Sequence, residues 1–317
     1  MLGEGSVLFT LFVAHGPLAV EGMVLVSRSL DLDPRRTAVI TVRIGHQYSK
    51  WLRSHGLRAA PAPAGLLLHE TFTKAERKRK ILQLDTVVKK LVGARQFELV
   101  TFDSVSSLNQ LLITHPQCLR YSILEEGVGH HRPASELWSD HLISKESQPL
   151  YLESYSNRFF DTGWLGRGTH ELYRISERAF RDVGSVSVLD FDILTSLAGK
   201  KSLGSLLLLP SPASEAEGFS PEGLFRYFGA SQPRAVSVKF HPDVTGAEKR
   251  FWNGVLDDSS GKSFSLLPEP FFPEAEIAAG NCDEVVGWPS SSLAYAHEWG
   301  VSTVNLDALG YTGAVRQ

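Results

Sequence analysis

Short apolar runs recur along the chain, separated by stretches whose apolar residues repeat at helical spacing. Val7 to Ala14, "VLFTLFVA", reads as a buried first strand, and "LAVEGMVLVSRSL" after it has the spacing of a helix. "TAVITVRI" (37–44) predicts a second buried strand, and "KAERKRKILQLDTVVKKLVGA" (74–94) a long amphipathic helix. "FELVTF" (97–102), a short helical piece and "LRYSIL" (119–124) continue the series. Strands that are apolar on both faces, alternating with helices, imply a parallel sheet covered on both sides. A second series starts at "SLLLLP" (205–210). It runs through "EGLFRYFG" as helix, "RAVSVKF" (234–240) as strand, "KRFWNGVL" as helix, "DEVVGW" (283–288) as strand, "SSLAYAHEW" as helix and "VSTVNL" (301–306) as strand.

The pattern weakens between these series. Residues 128–203 are rich in aromatics, Arg and Gly, as in "YSNRFFDTGWLGRG" (155–168), which suits an irregular insertion, a cleft lining or a helical subdomain. The expected architecture is therefore α/β, with two Rossmann-like, doubly wound domains facing a cleft. Residues 1–200 form the first domain, including the irregular part, and 201–317 the second.

Composition narrows the function classes. The chain has 317 residues, of which 43% are hydrophobic and 21% charged, as in a globular protein with a substantial core. Its net charge of −3 argues against a nucleic-acid partner. The basic run "KAERKRK" (74–80) reads as the solvated start of a helix, with contact to an acidic surface the lesser reading. Cys118 and Cys282 lie in no spaced motif, so neither a disulfide framework nor a metal knot is expected, and a reducing compartment fits. The apolar start carries Glu4 where a signal peptide needs a cation, and His15, Gly16 and Pro17 interrupt it too soon for a membrane span.

Sheets of this kind present their chemistry beyond the carboxyl ends of the strands. Three polar clusters stand there: Glu125, Glu126 and Gly127 after "LRYSIL"; His241, Pro242 and Asp243 after "VSVKF"; and Ser290, Ser291 and Ser292 after "DEVVGWP". Adjacent carboxylates at a strand end point to opposite sides, so one can face a substrate as general base while the other serves the turn. Which does which is open, and a plain polar turn explains the pair as well. His241 is restricted by Pro242 to extended backbone, which fixes where its imidazole points. It is either functional or a surface residue. Serines at a helix start commonly only cap it, but hydroxyls and N–H groups there can also hold a phosphate.

In their order, "LEEG" (124–127), "KFHP" (239–242) and "WPSSS" (288–292) resemble the signatures of bacterial sialyltransferases, above all the α-2,8-polysialyltransferase-like group. "VLFTLFVAHGPL" looks like that family's first strand and turn, and "PFFPEAEIAAG" (270–280) like its Pro-x-Glu segment. The resemblance implies a GT-B fold and an inverting, metal-independent transfer. A sialic acid, or a related nonulosonic acid, would move from a CMP-sugar to the hydroxyl of a glycan acceptor. The CMP-sugar is a co-substrate, and no cofactor is implied. Glu125 or Glu126 would take the acceptor proton. His241 would meet the departing phosphate, which Ser291 and Ser292, with Ser290, would hold. Gly127, Lys239 and Pro242 stand within the same motifs as substrate-binding positions. Such an enzyme suits the cytoplasm, at the inner face of a membrane as a peripheral protein, although no segment marks an attachment. The alternatives are a GT-B enzyme using CMP-Kdo or a UDP-sugar, an epimerase, or a non-catalytic glycan- or nucleotide-binding protein.

Other motifs carry less. Asp190-Phe191-Asp192 has the form of a metal-holding pair but reads as structural, since "DLD" (31–33) shows how easily such triplets arise. His130 and His131 follow the acidic motif without a third ligand at metal spacing and could line the acceptor side. Arg167 could meet an anionic sugar or sit in a surface turn. No Walker loop and no G-x-S-x-G elbow occurs.

Overall fold

The structure is a computed structural model. It describes residues 8–42, 44, 46–63, 74–104, 106–133, 136–137, 169–199, 202–210, 224–227, 235–241, 244–258 and 264–309. The chain divides into two compact units, Met1–Asp190 and Phe191–Gln317.

In the first unit, seven parallel strands form one sheet in the order β3-β2-β1-β4-β5-β6-β7. They are β1 (Phe9–Ala14), β2 (Thr37–Thr41), β3 (Arg58–Pro61), β4 (Phe97–Thr101), β5 (Cys118–Leu124), β6 (Thr169–Arg174) and β7 (Ser187–Val188). The order reverses between β1 and β4. Right-handed crossovers therefore place the helices before and after that point on opposite faces. Helix α1 (Pro17–Ser29) starts with Pro17 in its first turn, where a missing N–H costs nothing, and Leu18 through Val26 are all buried. Gly22 lets α1 settle onto β5: a Cβ there would lie 2.8 Å from Leu124 Cδ2. Helices α2 (His46–Ser54), α3 (Lys74–Val92) and α4 (Ser107–Ile113) also belong to this unit. Leu84, Val88 and Leu91 of α3 pack with Phe9, Leu11 and Leu99 in the largest apolar cluster. Cys118, in β5, is a free thiol that burial pushes up to about 12.

Strands β6 and β7 correct the reading of 128–203 as irregular. Leu124 pairs with Tyr173 and Tyr173 with Ser187, so this part of the chain extends the first sheet. Its sequence hides that role. "THELYR" is mostly polar, and β7 is two residues long. Residues 138–168, including Arg167, lie outside the described residues.

The second unit opens with α5 (Phe191–Thr195) and builds a parallel sheet in the order β10-β9-β8-β11-β12. The strands are β8 (Gly204–Leu209), β9 (Val236–Phe240), β10 (Phe264–Leu266), β11 (Cys282–Gly287) and β12 (Ser302–Asn305). The reversal falls between β8 and β11. Around the sheet lie α6 (Gly246–Asp258), α7 (Pro273–Ala278), α8 (Ser291–Glu298) and α9 (Leu306–Leu309). Trp252 of α6 is fully buried and donates its indole N–H to the Pro210 carbonyl at 3.1 Å, which anchors the helix at the end of β8. Both units are thus Rossmann-like and doubly wound, as the hydrophobic pattern predicts.

Candidate active site

In the first unit, the ends of β1, β4 and β5 meet at the point where strand order reverses, the usual ligand position of such sheets. Glu125 and Glu126 leave β5 there in opposite directions. Glu125 is fully buried. Its Oε2 accepts backbone N–H bonds from Ile175 (2.5 Å) and Ser176 (2.8 Å), and its Oε1 lies 3.0 Å from His131 Nε2. Those bonds tie the end of β5 to the turn after β6.

Glu126 turns the other way. Its carboxylate contacts Nδ1 of His15, the first residue after β1, and 16% of its side chain remains exposed. Burial pushes this carboxyl above its ordinary value; His15 pulls against that, and the charge of Asp103 pushes it further up. Asp103 lies just after β4, where its Oδ1 accepts the Ser106 N–H at 2.7 Å. The His15 ring stacks on Phe102, with centroids 3.7 Å apart and planes 15° from parallel.

A second imidazole locks this arrangement. Nδ1 of His130 accepts the Glu126 backbone N–H at 2.8 Å. Because Nδ1 accepts, the proton sits on Nε2. His130 is fully buried beside Phe180, and burial pulls its pKa down to about 3, so it is neutral at physiological pH. The turns after β4 and β5 are linked through His15, which stacks on Phe102 and contacts Glu126. Gly127 has φ +70°, a left-handed turn that a side chain would strain.

His15 escapes a reading that treats "HGP" only as the break after an apolar run. The signal was present, since His15 stands at a strand end just as Glu125 and His241 do.

In the second unit, Lys239 is buried and its Nζ lies 3.1 Å from Glu269 Oε1. Burial pulls its ammonium below the ordinary lysine value, and Glu269 opposes that pull. His241 follows β9 with an exposed side chain; its N–H donates to Leu209 at 2.8 Å, and its carbonyl accepts the Val244 N–H at 3.1 Å. Pro242 lies outside the described residues. Ser290 is the N-cap of α8, its hydroxyl accepting the Leu293 N–H at 3.2 Å. Ser292 donates its one hydroxyl proton to Glu274 Oε1 at 2.6 Å. Ser291 is the first residue of the helix. Glu274, buried at the start of α7, also attracts Lys239. Lys239, Glu269, Glu274 and Ser292 thus form one connected group, in which the "PFFPEAEIAAG" segment supplies Glu274 at the start of the helix. Asp190 and Asp192 are exposed on either side of the start of α5.

No protein-family model matches the chain, and no curated protein matches it in sequence. Solved structures do match in fold. The GT-B domain of a Photobacterium damselae sialyltransferase superposes with TM-score 0.51 at 11% identity, over 91% of this chain and 87% of that one. An α/β-galactoside α-2,3-sialyltransferase from Photobacterium phosphoreum gives 0.52 at 10% identity, over 93% and 90%. UDP-GlcNAc 2-epimerase from Neisseria meningitidis, bound to UDP-GlcNAc, gives 0.54 at 12% identity, over 94% and 82%. The chain therefore has a GT-B-like α/β fold, shared with sialyltransferases and with nucleotide-sugar epimerases alike.

Proposed function

We propose that the protein is an inverting glycosyltransferase that moves a sialic or related nonulosonic acid from a CMP-sugar to a glycan hydroxyl. One observation carries the reading: the His15–Glu126 pair at the strand-order reversal of the first unit. In this scheme Glu126 accepts the Nδ1–H of His15, which leaves Nε2 to take the proton of the attacking hydroxyl. The carboxylate then stabilises the imidazolium, and Phe102 holds the ring in place. Glu125 is a structural carboxylate. A base of this kind suits direct displacement with inversion, by the two-group logic of inverting glycosidases.

Breaking the donor bond leaves new negative charge on the CMP phosphate. His241, Ser291 and the first N–H groups of α8 are the donors assigned to it, which gives the scheme no need of a metal. Ser290 and Ser292 hold the helix start in position, and Lys239 positions Glu274. The order of the three motifs supports CMP-sialic acid as donor, while the shared fold supports a nucleotide sugar more broadly.

The test is donor turnover. CMP release from CMP-sialic acid, enhanced by a glycan acceptor, is expected, with both His15→Ala and Glu126→Gln slowing transfer by about 10²- to 10⁴-fold. Release of UDP from UDP-GlcNAc, or its epimerisation, with CMP-sialic acid untouched, would move the assignment to the epimerase side of the fold. Full turnover in both variants would remove the base.

A further inference from the structure

The outer face of α3 carries a charge distribution that the fold does not require. Lys78, Arg79, Lys89 and Lys90 are all exposed on it, Leu82 lies among them with 58% of its surface exposed, and the other exposed positions among the described side chains of the helix, Ala75, Gln83 and Thr86, are uncharged. At 100° per residue these positions fall on one side, opposite the buried Leu84, Val88 and Leu91. From Lys78 to Lys90 the face spans about 18 Å. Asp85, the one Asp of the helix, is turned to its flank and meets His115 at 3.6 Å. No ion pair joins Lys78, Arg79, Lys89 or Lys90 to a described residue.

Lys89 and Lys90 are accounted for by the negative end of the helix dipole. The N-terminal cations are not. Five of the first seven residues, "KAERKRK", are basic and sit at the positive end, where each is unfavourable. The chain as a whole is net negative. A cationic stripe that opposes both its own helix and the charge of the whole chain points to an anionic partner. The face is the convex outside of a helix, not a groove, and an exposed Leu at its centre contributes nothing to gripping a polar polymer. A flat anionic bilayer satisfies both parts, headgroups meeting the cations and Leu82 entering the interface.

We infer that the outer face of α3 is a docking surface for anionic lipid, holding the protein peripherally on a membrane. This goes beyond the transferase reading and does not depend on it. No helix among the described residues is long and apolar enough to cross a membrane, so the contact is superficial.

The full chain is tested by co-sedimentation with vesicles of phosphatidylcholine alone or with about one third phosphatidylglycerol. Binding is expected only to the anionic vesicles and is expected to weaken as salt rises from about 0.1 M, because screening shortens the reach of each charge. K78E/R79E should lower the partition at least about tenfold. Acidic residues suit a helix start, so the fold of this variant should hold, with an unchanged melting temperature as the check. Leu82→Ser should lower the partition a few-fold. Equal binding to both vesicle types, unchanged binding of K78E/R79E, or capture by an acidic polysaccharide such as heparin with the vesicles ignored would each overturn the proposal.

Discussion

Nδ1 of His130 accepts the backbone N–H of Glu126 at 2.8 Å, so a neutral, buried imidazole fixes the residue whose carboxylate meets His15. The bond runs to the backbone, and it therefore sets where Glu126 starts from without competing for its charge.

That relationship predicts an acid-sensitive fold. His130 has its pKa pulled from 6.5 to about 3, so between those values the unfolded chain binds more protons than the folded one. Stability should rise with pH across that window, and be lost as pH falls through it, at up to about 1.4 kcal/mol per pH unit. Urea unfolding at stepped pH should show this slope, and His130→Asn should flatten it. An unchanged slope in the variant would place the proton elsewhere.

Neighbouring carboxylates should respond oppositely to the same substitution. Glu125→Gln removes a charged acceptor from two buried N–H groups and should cost about 1–3 kcal/mol, read as a lower denaturation midpoint. The Glu126 carboxyl lies above its ordinary value, so its ionisation at neutral pH works against the fold. That cost begins above the unfolded carboxylate pKa and is complete above the folded one. Glu126→Gln should then hold or raise the melting temperature while slowing turnover by about 10²- to 10⁴-fold. A large loss of stability in this variant would show Glu126 to be structural too.

The Lys239–Glu269 pair should be asymmetric. Lys239→Met replaces a buried ammonium with an apolar chain of similar length and leaves Glu269, 30% exposed, to water, so stability should change little. Glu269→Ala leaves the ammonium buried beside only Glu274, and should cost about 2 kcal/mol after allowing for partial exposure of the lost partner. Thermal unfolding of the two variants side by side separates these outcomes.

Among the serines, Ser290→Ala should cost about 1 kcal/mol as a lost cap, with CMP affinity nearly unchanged. Ser291→Ala should weaken CMP binding about tenfold with little change in stability, consistent with one lost hydrogen bond to a charged group. Calorimetric titration reads both. Equal CMP affinity in wild type and Ser291→Ala would remove this hydroxyl from the phosphate site.

The sequence exposed the framework where the physics is local. Strands β1, β2 and β8 are buried on both faces for nearly their whole length, so each is a nearly continuous apolar run that periodicity detects without a partner. Strand β6 packs by only part of its length, and its Thr, His, Glu and Arg carry no such run; its place is set by pairing with β5. The acidic pair shows the same divide. Strand alternation dictates that Glu125 and Glu126 face apart, but which of them is sequestered depends on Ile175 and Ser176, some fifty positions away. Likewise Ser292 is occupied by Glu274, a partner from another helix that no local reading of "PSSS" supplies.

The bonds from Glu125 to Ile175 and Ser176 have a further effect. They fasten both ends of a long stretch of chain to the sheet, like two posts set in the same foundation. Whatever is strung between the posts can lengthen, shorten or change its composition at a cost that grows only slowly with its length, and the His15–Glu126 pair keeps its frame. A lineage carrying this fold can thus vary that stretch while the carboxylate anchoring its ends stays in place.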